Sequence, residues 1–484
     1  MAQQSDQHSQ LPADDEWVAD PRRWVTLTLL AFAQFMLIVD ITVVQVALPS
    51  IGDDLGLSRT ALTWVVTTYT LMFGGLMILG GRLADVVGAR RMLLTGLSIF
   101  TVASLLAGLA GNATLLIGGR AAQGFGAALL SPAALSIIAT GFRGQDRNRA
   151  LGIWAAIGGT GAAIGVLLGG LLTAGPGWQW VFIVNVPIGA LVLALIPRLV
   201  KADIGRKRQS VDVPGAVLVT GATALLIYGL VHAGDAGWTS AGTLGAIAGA
   251  AIGYGAFVLV ETRVAVPLMR TQTLARRPVV SGTFLMLVAS GLLLGLFFLT
   301  SLYFQHLLRF GALKTGLLFL PVALAITAGA QAAAHLISRV GGRAIAVASF
   351  LLIAAGAALL TQASPGDNVV TAMLPGFLLA AIGIGPVFVT ATTTTLANVP
   401  TPEAGVASGV VNTFHELGGS IGVAVVSTIA AASLSTSTGA VAGVDGFADA
   451  YLACAIAAGV AALVSLVLVP GGKPAPVAGH GHGH

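Results

Sequence analysis

Apolar residues come in runs of about twenty, separated by short polar breaks, from residue 24 almost to the end of the chain. A helix needs about 20 apolar residues to cross a hydrocarbon core of roughly 30 Å. The pattern therefore predicts fourteen membrane spans, at 24–48, 60–80, 92–110, 114–140, 149–172, 178–197, 213–233, 241–261, 279–304, 314–338, 343–362, 370–396, 404–432 and 447–469. Only Gly111, Asn112 and Ala113 separate the third span from the fourth. The expected fold class is all-α and integral to the membrane, because helices satisfy their own backbone in lipid.

Charge orients these spans. With the N-terminus inside, nearly all of the 24 Lys and Arg fall on the inner side, among them Arg22, Arg23, Arg82, Arg90, Arg91, Arg143, Arg147, Arg149, Arg339 and Arg343. The outer loops hold only Arg59, Arg309 and Lys314, and Arg120 lies inside a span. The positive-inside rule then puts both termini in the cytoplasm of a multi-pass cell-membrane protein. An odd span count would spoil the alternation.

Composition excludes several classes. The chain is 56% hydrophobic and 9% charged, against roughly 25% charged for a soluble domain. Its 64 glycines suit closely packed membrane helices. One cysteine, Cys454, cannot make a disulfide framework. A net charge of +5 spread over short loops does not suit a nucleic-acid binder. Residues 1–23 carry Asp14, Asp15, Glu16 and Asp20 and no basic leader, so they are expected to be a disordered cytoplasmic tail. Residues 471–484 form a second tail, whose His480, His482 and His484 alternate with glycine; it is either solvated or a weak metal binder. No phosphate-binding loop, metal cluster or nucleophile arrangement is found, so no cofactor, metal or enzymatic activity is expected.

The chain also repeats itself. At an offset of about 257 residues, Ala150, Gly152, Gly161, Ile164 and Gly165 fall on Ala407, Gly409, Gly418, Ile421 and Gly422. Leu55–Thr60 echoes Phe310–Thr315, and the inner loop 339–343 is a short version of the loop after span two. These echoes pair span 1 with 9, 2 with 10 and 5 with 13. They predict a bundle of six helices over 24–200, a linker with two extra transmembrane helices over 201–278, and a second six-helix bundle over 279–470.

Four stretches carry a family resemblance. The loop after span two reads Gly81-Arg82-Leu83-Ala84-Asp85-Val86-Val87-Gly88-Ala89-Arg90-Arg91; span four holds Gly119-Arg120 and Gln123-Gly124; span one holds Asp40-Ile41-Thr42-Val43; span six opens Trp178-Gln179-Trp180 and continues to Asn185-Val186-Pro187. Span five adds Gly158, Gly161, Gly165, Gly169 and Gly170. Together they resemble the major facilitator superfamily, and within it the fourteen-spanner drug:proton antiporters. The resemblance implies a major facilitator fold and proton-coupled export of hydrophobic or cationic drugs and antibiotics by alternating access. Its partners are the small-molecule substrate, protons and the lipid bilayer, and the protein is expected to be a monomer. The resemblance also implies that Gly81, Asp85, Gly88, Arg90 and Arg91 latch the two bundles on the inner side. Asp85 has two available partners, Arg90 or Arg91 and a helix N-terminus. Val86 and Ala89 stand where a basic residue is common. Val166 replaces the proline expected after Gly165, which predicts a straighter fifth helix and weakens the export assignment.

Charges inside lipid cost about 2.5–3.5 kcal/mol each and mark functional or paired groups. Asp40 lies about 24 Å along span one, and Arg120 about 9 Å from the outer end of span four, so the two share a level. Asp40 is either a protonation site tuned by Arg120 or half of a permanent ion pair. His415 and Glu416 lie near the midplane of span thirteen. Being consecutive, they point about 100° apart, so at most one faces a pore squarely. The threonines 390 and 392–395 either line a cavity or bond their own helix. An importer or a dedicated metabolite exporter on the same fold is the alternative function.

Overall fold

The structure, a computed structural model, describes residues 20–57, 59–200, 212–264, 267, 275–364, 368–397, 399, 403–436 and 440–471. Both expected tails lie almost wholly outside these residues. The described chain is helical and contains no strand. Its long helices are α1 (Arg23–Leu55), α2 (Arg59–Val87), α3 (Ala89–Gly108), α4 (Ala113–Gly141), α5 (Gly144–Ala174), α6 (Asn185–Leu199) and α7 (Val213–Ala236). They continue as α8 (Ala241–Glu261), α9 (Arg277–Leu302), α10 (Ala312–Val340), α11 (Gly342–Leu360), α12 (Leu374–Ala397), α13 (Ala404–Thr436) and α14 (Ala440–Leu468). Single turns, Trp180–Ile183 and Val369–Ala372, precede α6 and α12.

Local chemistry places the ends. The narrow gap between α3 and α4 is real, because the Asn112 side chain accepts from Leu115 N at 2.9 Å and starts α4. Asp212 caps α7 in the same way through Gly215 N at 3.0 Å. Gly56 ends α1 in the left-handed region at φ 60°.

Among the described residues, twelve helices are long and apolar enough to cross a membrane. The fifth and thirteenth of the expected spans are not among those twelve. They correspond to α5 and α13, of 31 and 33 residues.

Packing follows the repeat. In the first half α1 packs on α5 and α6, α4 on α2 and α3, and α3 on α6. In the last six helices α9 packs on α13 and α14, α12 on α10 and α11, and α11 on α14. Adding eight to each number of the first set gives the second. The halves meet along two seams, α2 against α13 and α5 against α10, which the same shift exchanges. Small residues allow these approaches. A Cβ on Gly81 would sit 2.2 Å from the Gly405 carbonyl, and one on Gly405 2.4 Å from that of Gly81, so the α2 and α13 backbones touch there. The α7–α8 pair stands outside this symmetry. α7 packs against α2 and α13, α8 packs on α7, and Thr223 and Tyr254 join them by a 2.8 Å hydroxyl pair.

Candidate functional site

Two polar clusters lie within the helices. The first is inside the N-terminal half. Arg120 of α4 and Asp40 of α1 form an ion pair, with side chains 1% and 0% exposed. Gln123 donates to Asp40 Oδ1 at 3.1 Å and Asn185 donates to the same oxygen at 2.8 Å. Arg120 also donates from Nε to the Val65 carbonyl at 3.1 Å and from Nη1 to Gln123 Oε1 at 2.9 Å. Gln123 donates onward to Ser104 Oγ at 2.8 Å. The Tyr69 ring lies 4.1 Å from the Arg120 guanidinium carbon. The helical spacing of Arg120 and Gln123 on α4 puts both on one face toward α1. A buried charge pair needs such extra hydrogen bonds to hold, and here the carboxylate and guanidinium have them.

The second cluster lies between the halves. A cavity of about 50 Å³ is lined by Gln34 and Ile38 of α1, Leu135 of α4, Trp154 of α5, Met286 of α9, Phe388 and Thr392 of α12, and Val411, Asn412 and His415 of α13. Its helices are 1, 4 and 5 with 9, 12 and 13, three pairs exchanged by the repeat. The cavity therefore sits on the axis relating the halves, and neither half builds it alone. Its volume has room for a few waters and is well under the roughly 300 Å³ of a drug-sized pocket.

His415 faces that cavity, its ring centroid 5.5 Å from that of Phe388. Glu416 turns away. A Cβ on Gly74 of α2 would lie 3.3 Å from Glu416 Cβ and 2.6 Å from Ile227 of α7, so the acid sits at the seam of α2, α13 and α7. Asp40 and Arg120 do not line the cavity. Thr392 does both things expected of the threonine run: it lines the cavity and donates to the Phe388 carbonyl at 2.8 Å. Gln34, Trp154, Phe388 and Asn412 are cavity residues that the sequence reading did not single out.

The inner loop is a bridge between halves. Asp85 accepts from Gly405 N at 2.7 Å and from Val406 N at 2.8 Å, capping the N-terminus of α13 with a carboxylate from α2. Of its two available partners, the helix N-terminus is bonded here. Gly88 takes φ 116° where α2 turns into α3, a conformation open to glycine. Arg90 donates to the Pro197 carbonyl at 3.0 Å, within its own half, and Arg91 is exposed. Across the other seam, Arg147 of α5 donates to the Leu396 carbonyl of α12 at 2.8 Å.

The glycines of α5 pack on α1. A Cβ on Gly161 would meet Ile38 at 2.8 Å, one on Gly165 would meet the Thr42 hydroxyl at 1.7 Å, and one on Gly169 the Val43 carbonyl at 3.1 Å. Gly170 is half-buried, and the surroundings of Gly158 lie outside the described residues. The helix runs without a break through Val166.

The sequence matches the Major Facilitator Superfamily over residues 30–423. It is similar to a puromycin resistance protein of Streptomyces alboniger, at 39% identity over 93% of this chain and 91% of that one. It is 37% identical to a cephamycin export protein of Amycolatopsis lactamdurans, over 89% of each chain. The tetracenomycin C resistance and export protein of Streptomyces glaucescens matches at 35% over 85% of this chain and 76% of that one. In three dimensions the chain resembles the crystal structure of a human organic anion transporter, with a TM-score of 0.65 and 14% identity, covering 91% of this chain and all of that one.

Proposed function

We propose, for a chain that belongs to the major facilitator superfamily, a transporter that exports drug or antibiotic molecules by alternating access, driven by protons moving inward. The carrying observation is the cavity between the halves, lined by three exchanged pairs of helices. Such a site is reached from one side when the halves rock one way and from the other when they rock back. Relatives named for antibiotic resistance and export support the outward direction.

In this reading the chain has fourteen spans. α5 and α13 are 31 and 33 residues long, and at 1.5 Å per residue each extends about 45–50 Å, enough for the membrane core. Two bundles, 24–200 and 279–470, move as units in a cell-membrane protein with both termini cytoplasmic, acting as a monomer. The inner ends are closed by the Asp85 cap on α13 and the Arg147 bond to Leu396. Inward opening breaks both.

We assign the proton step to α13. His415 faces the cavity and Glu416 the seam that must part, so a change of charge there is felt differently in the two states. Asp40 and Arg120 act as the fixed pair that shapes the N-terminal bundle. Their full set of partners supports this role over a titrating one.

The test is purified protein in liposomes with an imposed pH gradient and a panel of antibiotics and dyes. Efflux that collapses with the gradient is expected. Accumulation of a nutrient in the direction of the proton would overturn the export reading.

A further inference from the structure

The cavity at the centre of the molecule carries hydrogen-bonding groups that the protein leaves unused. Among the described residues, Gln34 is 8% exposed and its Oε1 has no hydrogen-bond partner, and Asn412 is 8% exposed and its Nδ2 has none. Buried amides without partners are costly, on the order of 1–3 kcal/mol each. Here one stands on α1 and the other on α13, on opposite halves, facing the same space. Together they present an acceptor and a donor. Thr392 has given its proton to the Phe388 carbonyl, so its oxygen adds a second acceptor. The walls between these groups are apolar and aromatic, Trp154 and Phe388 above all.

The same space lacks what a cation needs. Among the described lining residues there is no carboxylate, and His415 is the one ionisable side chain. Asp40 is consumed by Arg120, Gln123 and Asn185 within the N-terminal half. Glu416 lies against Gly74 and Ile227 at the α2 seam. A permanent cation in this cavity would be desolvated with no counter-charge, and a protonated His415 would repel it.

We propose that the cavity selects uncharged, partly aromatic molecules bearing both hydrogen-bond donors and acceptors, held between the Gln34 and Asn412 amides. This narrows the drug class above and rests on the reading of the cavity as the transport site. A matching ligand gains more than bond strength. It also relieves two orphaned groups that otherwise favour opening the cavity to water.

The test uses full-length protein purified in detergent, with chloramphenicol (uncharged, one ring, two hydroxyls and an amide) and tetraphenylphosphonium as probes. Radioligand binding is expected to favour chloramphenicol at least tenfold. Gln34→Leu and Asn412→Leu each weaken it by about five- to tenfold, the loss of one buried hydrogen bond. Should either leucine variant fail to fold, Gln34→Glu supplies the converse. A carboxylate in the cavity raises tetraphenylphosphonium affinity about tenfold or more. Equal or tighter tetraphenylphosphonium binding by the native protein, or chloramphenicol binding indifferent to both amides, overturns the inference. Liposome flux is measured separately. Selective binding without flux of any compound sinks the transporter reading and leaves the selectivity standing. Flux of cations alone does the reverse.

Discussion

The Asp40–Arg120 cluster and the central cavity are both buried polar sites, and they differ in completeness. In the first, the carboxylate and the guanidinium are each held by several neighbours, all within one half. In the second, one polar atom on each of two amides from opposite halves, Gln34 Oε1 and Asn412 Nδ2, lacks a partner among the described residues. A complete network inside one packed unit has no reason to change as the halves move. An incomplete one, split between moving units, is where a ligand or a proton has leverage. Charge alone would have ranked them the other way round.

The largest expected effect tests the complete cluster. Arg120→Leu strands a buried carboxylate and should destabilise the protein by about 3–5 kcal/mol, read as thermal unfolding in detergent. The pair Asp40→Asn with Arg120→Gln should recover much of that loss. Near-native stability of Arg120→Leu alone would mean that Asp40 is not held as a charge, and the contrast with the cavity would collapse.

Next comes the wall between the clusters. Gly161→Ala would press on Ile38, which also lines the cavity. It should cost about 1–3 kcal/mol of stability and raise the KM for the exported compound. A KM unmoved by this change would place the substrate elsewhere.

Glu416→Gln sharpens the comparison by separating energy coupling from structure. Gradient-driven efflux should fall about tenfold, a loss of roughly 1.4 kcal/mol, while gradient-independent exchange continues. Asp40→Asn should do the opposite, lowering stability while surviving protein keeps its gradient dependence. If the two phenotypes are swapped, the proton step belongs to the N-terminal half.

An effect of similar size is expected at the inner bridge. Asp85→Asn keeps the shape and removes the charge from the α13 cap, worth about 1–2 kcal/mol. That shifts the closed-to-open ratio at the inner face by roughly five- to thirtyfold. Spin labels on Arg91 and Glu403 would report it as a growing long-distance population.

Twelve membrane-length apolar helices and the repeated packing pattern were legible because both depend on periodicity and length, which survive in a single chain. The level of Asp40 and Arg120 was legible for the same reason, since rise per residue is fixed. What each side chain faces was not. Asp40 and Gln34 lie on one helix, six residues apart, yet one is sealed in a half and the other looks across to α13. Gln34 with Ile38, and Val411 with Asn412 and His415, follow helical spacing, a signal that was present but dimmed by the more conspicuous charges. Gln123 and Asn185 sat within the quoted motifs without revealing that they serve Asp40.

The α7–α8 pair leaves the two seams unequal toward the lipid. Along α2 and α13, α7 lies directly over the joint, with Ala224 against Gly75 and Ile227 against Gly74. Along α5 and α10 no such cover is seen among the described residues, and Leu171 and Leu317 are each 50% exposed. A greasy molecule drifting within the bilayer leaflet thus finds one flank shuttered and the other bare, so the doubled architecture has, for traffic arriving sideways, a front and a back.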